Sequence, residues 1–93
     1  MAGSHICYPT PLDRGPLHVR AEFGAACVAR ATLYDLTGQQ VSASAVVAIP
    51  GRGPGEIVLS AEGLASGLYL CRLVAERTGL PTGTSVAPVA VAR

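Results

Sequence analysis

The sequence predicts an all-β chain folded as an antiparallel β-sandwich of about seven short strands. Apolar and polar residues alternate through 17–23, 27–33 and 69–73, the period-two pattern of strands with one buried face. Turn residues separate such runs at roughly 8–12-residue intervals, the rhythm of a sandwich. The 93 residues include 11 Gly and 7 Pro, which leaves no room for a long helix. Hydrophobic residues reach 49%, mostly Ala and Val, and Val favours strands. A chain of this length forms one domain with a modest core.

The boundaries follow from local composition. Residues 1–7 read as an N-terminal extension or the remnant of an expression tag, and 8–93 as a single sandwich domain. "CYPTPLDRGP", 7–16, is extended and turn-rich, because Pro9, Pro11 and Pro16 exclude a helix. "LHVRAEF", 17–23, turns Leu17, Val19, Ala21 and Phe23 to one face and leaves His18 solvated on the other. "CVARATLY", 27–34, places Cys27, Ala29, Ala31 and Leu33 together. A turn follows, then one strand over 39–49, a loop over "PGRGPG" at 50–55 and a strand at 56–60. "AEGLASG", 61–67, is a connection with at most one helical turn. "LYLCRLVAE", 68–76, is a strand, "RTGLPTGTS", 77–85, a turn, and "VAPVAVAR", 86–93, the last strand. Pro88 places that strand at a sheet edge.

The stretch "LYDLTGQQV", 33–41, contains the one Asp that invites a chemical reading. Aspartic proteases carry Asp-Thr-Gly, but here Leu36 separates Asp35 from Thr37. Aspartyl-phosphate ATPases carry Asp-Lys-Thr-Gly-Thr, but here Leu36 and Gln39 stand in place of Lys and the last Thr. The turn reading accounts for every residue. Asp35 at position i and Gly38 at i+3 compose a type I turn, with the carboxylate accepting from N–H groups two residues on. Gly38 at positive φ gives the G1 bulge that joins two antiparallel strands.

Other chemistry is excluded more simply. Seven Arg against six acidic residues give a net charge of +1, too balanced for a nucleic-acid or membrane-surface footprint. No apolar run is long enough for a membrane span. His5, His18 and the three Cys lack metal-ligand spacing, so no metal or other cofactor is expected. "GRGPG" is no phosphate cradle, since Pro54 removes a donor and no helix follows. Three Tyr, one Phe and no Trp leave little for a carbohydrate-binding platform.

Tyr69 and Cys71, two apart on a late strand, sharpen the fold. In immunoglobulin-like sandwiches a Tyr two residues before the Cys of strand F bonds back to upstream backbone, forming a tyrosine corner. Tyr69 fits that place, with Gly63 and Gly67 making the preceding turn. Cys71 then points inward, as does Cys27, and the two either bridge the sheets or serve as small buried hydrophobes. Cys7, outside the strands, is the odd thiol.

Four motifs together resemble a known family. "YPTPL" at 8–12 is similar to Tyr-Pro-Asn-Pro, with Tyr8, Pro9 and Pro11 in place and Thr10 for Asn. "ATLYDLTGQQV" at 31–41 is similar to a strand ending Tyr-Asp-x-x-Gly-x-x-Val, through Tyr34, Asp35 and Gly38. "LSAEGLASGLYLCRL" at 59–73 resembles Leu-Ser-x-x-Gly-Leu-x-x-Gly-x-Tyr-x-x-x-Leu, through Gly63, Gly67 and Tyr69. "VAVAR" at 89–93 resembles a final hydrophobic strand ending in a basic residue. Order and spacing resemble the type A C-terminal sorting domain of the type IX, or Por, secretion system.

The resemblance implies a small immunoglobulin-like sandwich at the C-terminus of a secreted bacterial protein, and not an enzyme. It implies an outer-membrane export receptor, a sortase-like protease and an upstream cargo domain as partners, and a route through the periplasm to the cell surface. The signal strand maps to Val86, Val89, Val91 and Arg93. If that strand lies at an edge, deleting 89–93 is expected to impair export more than folding. The rival expectation is a structural immunoglobulin-like module, a spacer or self-assembling unit of a surface filament that pairs through the same edge.

Overall fold

The computed structural model describes residues 5–44, 46–77 and 80–92. Among them are eight strands and no helix: β1 (His5–Tyr8), β2 (Leu17–Phe23), β3 (Cys27–Asp35), β4 (Gln40–Ala43), β5 (Val47–Ile49), β6 (Gly53–Leu59), β7 (Gly67–Arg77) and β8 (Leu80–Val91). One sheet runs β1-β2-β6; the other runs β4-β3-β7-β8, with β5 also paired to β3. All these strand pairings are antiparallel, and the two sheets stack as a β-sandwich.

Alternation decides which side chains fill the space between the sheets. Leu17, Val19, Ala21 and Phe23 of β2 face Leu33, Ala31 and Ala29 of β3 and Cys71, Leu73 and Ala75 of β7, all buried. Leu12, Ile57, Leu59, Val89 and Val91 complete the core. Ala, Val and Leu dominate because short side chains on opposed pleats interdigitate without leaving voids. The Phe23 ring, buried in the core like that of Tyr69, sits over Gly55: a Cβ built there would lie 2.8 Å from Phe23 Cε2.

Several expected boundaries need correction. The domain starts earlier than residue 8, because His5–Tyr8 pairs with β2 and buries His5 and Cys7. Residues 5–7 thus belong to the sandwich and not to an extension. The strand expected over 39–49 is two strands. Between them Ser44 breaks the ladder: its N–H donates to Ala31 O at 2.9 Å while its Oγ accepts from Ala31 N–H at 2.9 Å, a side chain replacing a backbone partner. The loop expected over 50–55 already contains the start of β6, since Gly53, Pro54 and Gly55 pair with Phe23, Glu22 and Ala21. The turn expected over 77–85 shrinks, because β7 runs to Arg77 and β8 starts at Leu80. The register slips once, between Ala75 and Glu76.

Candidate functional site

The Asp35 turn is built as its composition requires. Gly38 N–H donates to Asp35 O at 3.1 Å and Asp35 N–H to Gln39 O at 3.0 Å. Asp35 Oδ1 accepts from Thr37 N–H at 2.9 Å, from Gln39 N–H at 3.0 Å and from the Thr37 hydroxyl. The Thr37 hydroxyl, with the backbone donors behind it, holds the carboxyl below the usual carboxylate range. Gly38 has φ +90°, and the β3–β4 register slips between Leu33 and Tyr34. This aspartate is engaged on its own turn and presents no reactive geometry.

Tyr69 Oη donates to Ala65 O at 2.7 Å, the upstream backbone bond that a tyrosine corner makes, and the ring is buried. Gly63, at φ +80°, and Gly67, which opens β7, frame the connection it clamps.

The final strand β8 lies at an edge of its sheet, with β7 as its one ladder neighbour. Its outer edge is partly covered. Leu12 bridges Val91 in parallel, donating to Ala90 O at 2.7 Å and accepting from Ala92 N–H at 2.9 Å. By alternation Pro88, Val86 and Thr84 present their backbones to the same side, and Pro88 brings no N–H. Val89 and Val91 point into the core, 0% and 3% exposed, whereas Val86 is 57% exposed. Arg93 lies outside the described residues. The outer face of this sheet groups Tyr34, Leu70 and Pro88 as cross-strand neighbours, with Leu68 opposite Ala90 and Val86 opposite Arg72.

The cysteine assignment is overturned. Cys27 and Cys71 lie on neighbouring strands of one sheet, and Cys71 pairs with Leu33 while Val28 pairs with Glu76. Six residues of β3 separate Leu33 from Cys27, about 20 Å at a strand's rise, far beyond bridging reach. Cys71 instead faces Cys7 from the opposite sheet. The thiols of Cys7 and Cys71 and a ring nitrogen of His5 lie within 4.8 Å of one another. The hydrogen bond from Cys71 lowers the Cys7 pKa, and the same bond and burial push Cys71 up. His5 Nδ1 is 2.8 Å from Ser85 Oγ, and His5 Nε2 is buried without a hydrogen-bond partner.

A second cluster lies on the outer face of the three-stranded sheet. Tyr8 and His18 pair across β1 and β2 and stack, with ring centroids 5.2 Å apart and planes 8° from parallel. Glu56 Oε1 accepts from the Tyr8 hydroxyl at 2.8 Å and lies 2.6 Å from His18 Nδ1. The Tyr8 hydroxyl first, then His18, lower the Glu56 pKa, and Glu56 raises that of Tyr8. His18 is thus half-buried in a network and not freely solvated. Tyr8 is held by this cluster, while Pro9 and Pro11 follow through cis peptide bonds toward the Leu12 bridge.

Sequence reasoning missed both clusters. The signal for the first was His5-Ile6-Cys7, which continues a two-residue alternation into the presumed extension. The signal for the second was the placement of two aromatic rings at equal distance from a strand reversal. Compared with known protein families and with curated proteins, the chain matches none.

Proposed function

We propose that the chain is a non-catalytic C-terminal sorting domain, carried behind a cargo domain through the periplasm and read at the outer membrane of a bacterium. The observation that carries this reading is the ordered set of four motifs at 8–12, 31–41, 59–73 and 89–93. The strand order supports it. Sheets β1-β2-β6 and β4-β3-β7-β8 have the connectivity of an immunoglobulin-like sandwich, in which the first, second and late middle strands pack against the rest. Each motif also coincides with a device that fixes the fold: the Tyr8 cluster, the Asp35 turn, the Tyr69 corner and the edge strand β8.

The surface offered to a receptor is the outer face around β8. Leu68, Leu70 and Val86 are exposed there at 56%, 37% and 57%, beside the open backbone of Thr84 and Val86. Such a surface suits recognition by a hydrophobic face and a short stretch of strand addition. A filament module joined edge to edge is the weaker reading, because Leu12 and Pro88 blunt most of that edge.

The test places residues 1–93 behind a signal peptide and a reporter in a bacterium that has the machinery. Val86→Lys is expected to lower surface reporter while leaving the thermal unfolding curve in place. Equal surface display with and without the whole domain would refute sorting. Display that needs the domain but tolerates Val86→Lys would move the recognition surface away from β8.

A further inference from the structure

We propose that His5, Cys7 and Cys71 form a binding site for a thiophilic d10 metal ion. The three donors come from both sheets, His5 and Cys7 from β1 and Cys71 from β7, and converge inside an otherwise apolar core. Their donor atoms lie within 4.8 Å of one another. Ligands bound to one tetrahedral ion at a Zn–S length of about 2.3 Å have sulfurs about 3.8 Å apart, so at most about 1 Å of contraction closes the site.

The imidazole is set as a ligand. Ser85 Oγ lies 2.8 Å from Nδ1; in the tautomer that donates the Nδ1 proton to it the lone pair is on Nε2, and such an outer bond fixes a metal-binding histidine. That Nε2 atom is buried and has no hydrogen-bond partner, although His5 as a whole is only 7% exposed. A buried nitrogen left without a partner is unfavourable, and a metal ion supplies the missing one. Nothing in the sandwich itself requires two thiols and an imidazole to meet: Val, Ala and Leu fill the same layer elsewhere.

Charge and softness select the ion. Thiolate sulfur prefers Zn2+ and Cu+ to the hard cations. Binding forms two metal–sulfur bonds and one metal–nitrogen bond, and the two thiol protons leave to solvent. Two thiolates with a neutral imidazole then balance a divalent ion, while three donors complete a trigonal Cu+ centre. A surface depression of about 210 Å³ adjoins β1 and is lined by His5, Ile6, Arg20, Ala21 and Glu22. β1 is a four-residue edge strand.

The experiment uses the full chain, reduced and handled without oxygen, titrated separately with Zn2+ and Cu+ against chromogenic chelators, and with Co2+ as a spectroscopic probe. One equivalent of Zn2+ or Cu+ is expected to bind, with a thiolate-to-cobalt absorption band and an X-ray absorption shell of two sulfurs and one nitrogen. Cys7→Ser and Cys71→Ser should each weaken binding about 100-fold or more, and Ser85→Ala about 10–100-fold through the ring orientation it sets. Cys27→Ser should leave affinity unchanged. The wild-type spectra stand even if a core variant fails to fold. Failure to bind either ion, a shell without sulfur, or affinity retained in both Cys7→Ser and Cys71→Ser would overturn the site. So would a Cys7–Cys71 disulfide that persists in the reduced, oxygen-free protein.

Discussion

Removing residues 89–93 is expected to unfold the domain, so the deletion should impair folding outright and not export more than folding, as an edge position alone would suggest. An edge position concerns only the backbone. The side chains of Val89 and Val91 face inward and are buried, and burying each contributes about 1.5–3 kcal/mol. The deletion also takes both backbone bonds between Leu12 and the segment Ala90–Ala92, worth about 0.5–1.5 kcal/mol each. Together the loss is about 4–9 kcal/mol. A chain of this size has a total stability of about 5–14 kcal/mol, so the truncated form sits at or beyond its limit. Urea unfolding followed by circular dichroism measures it. A truncated chain that unfolds cooperatively within about 2 kcal/mol of the intact one would refute the reasoning and would mean that Leu12 and the β7 face re-pack without the strand. Export assays that rely on this deletion would report unfolding, whereas Val86→Lys leaves the core untouched.

Tyr69→Phe removes the donor to Ala65 O and should lower stability by about 0.5–1.5 kcal/mol in urea unfolding; no change would show that the corner bond is not stabilising. Gly55→Ala places a Cβ against the buried Phe23 ring and should cost about 1–3 kcal/mol, with Phe23→Leu recovering part of it in a double-mutant cycle. Asp35 has its folded pKa lowered by the Thr37 hydroxyl and the turn's N–H groups. Its contribution is therefore present above the unfolded carboxylate pKa and is lost as pH falls through the lowered folded value. Asp35→Asn should flatten that acid limb of the stability profile, measured by thermal melts across pH.

Legibility in the sequence followed the physics of each signal. The strands with one wet face, 17–23, 27–33 and 69–73, were readable because burial alternates along them. The Asp35 turn and the Tyr69 corner were readable because each is closed by contacts within four residues of sequence. Boundaries failed where a local signal was overruled from a distance. Gly53 to Gly55 look like a loop, yet β2 pairs with them, and Gly55 leaves room for the Phe23 ring that a Cβ would take. Residues 77–85 look like a turn, yet a long hairpin absorbs most of them. Cys27 failed for a different reason: facing inward is a property of one strand, whereas bridging depends on register between two, and register was not visible in either strand alone. Cys7, His5 and Ser85 were invisible together because contacts spanning 80 residues, such as His5 to Ser85, leave no local pattern.

Those long contacts bind the two ends of the domain to each other. His5 of β1 meets Ser85 of β8, Cys7 of β1 meets Cys71 on β7 beside β8, and Leu12 lies along Ala90 to Ala92. The two buried polar residues among those described, His5 and Ser85, both stand at this seam, where the first strand of one sheet meets the last strand of the other. A loss at the C-terminal strand is therefore felt at the N-terminal one. On the proposed sorting role, folding and recognition would share β8 but use opposite sides of it: Val89, Val91 and Ser85 are buried, whereas Val86 is exposed. Only substitutions on the outward side can separate the two.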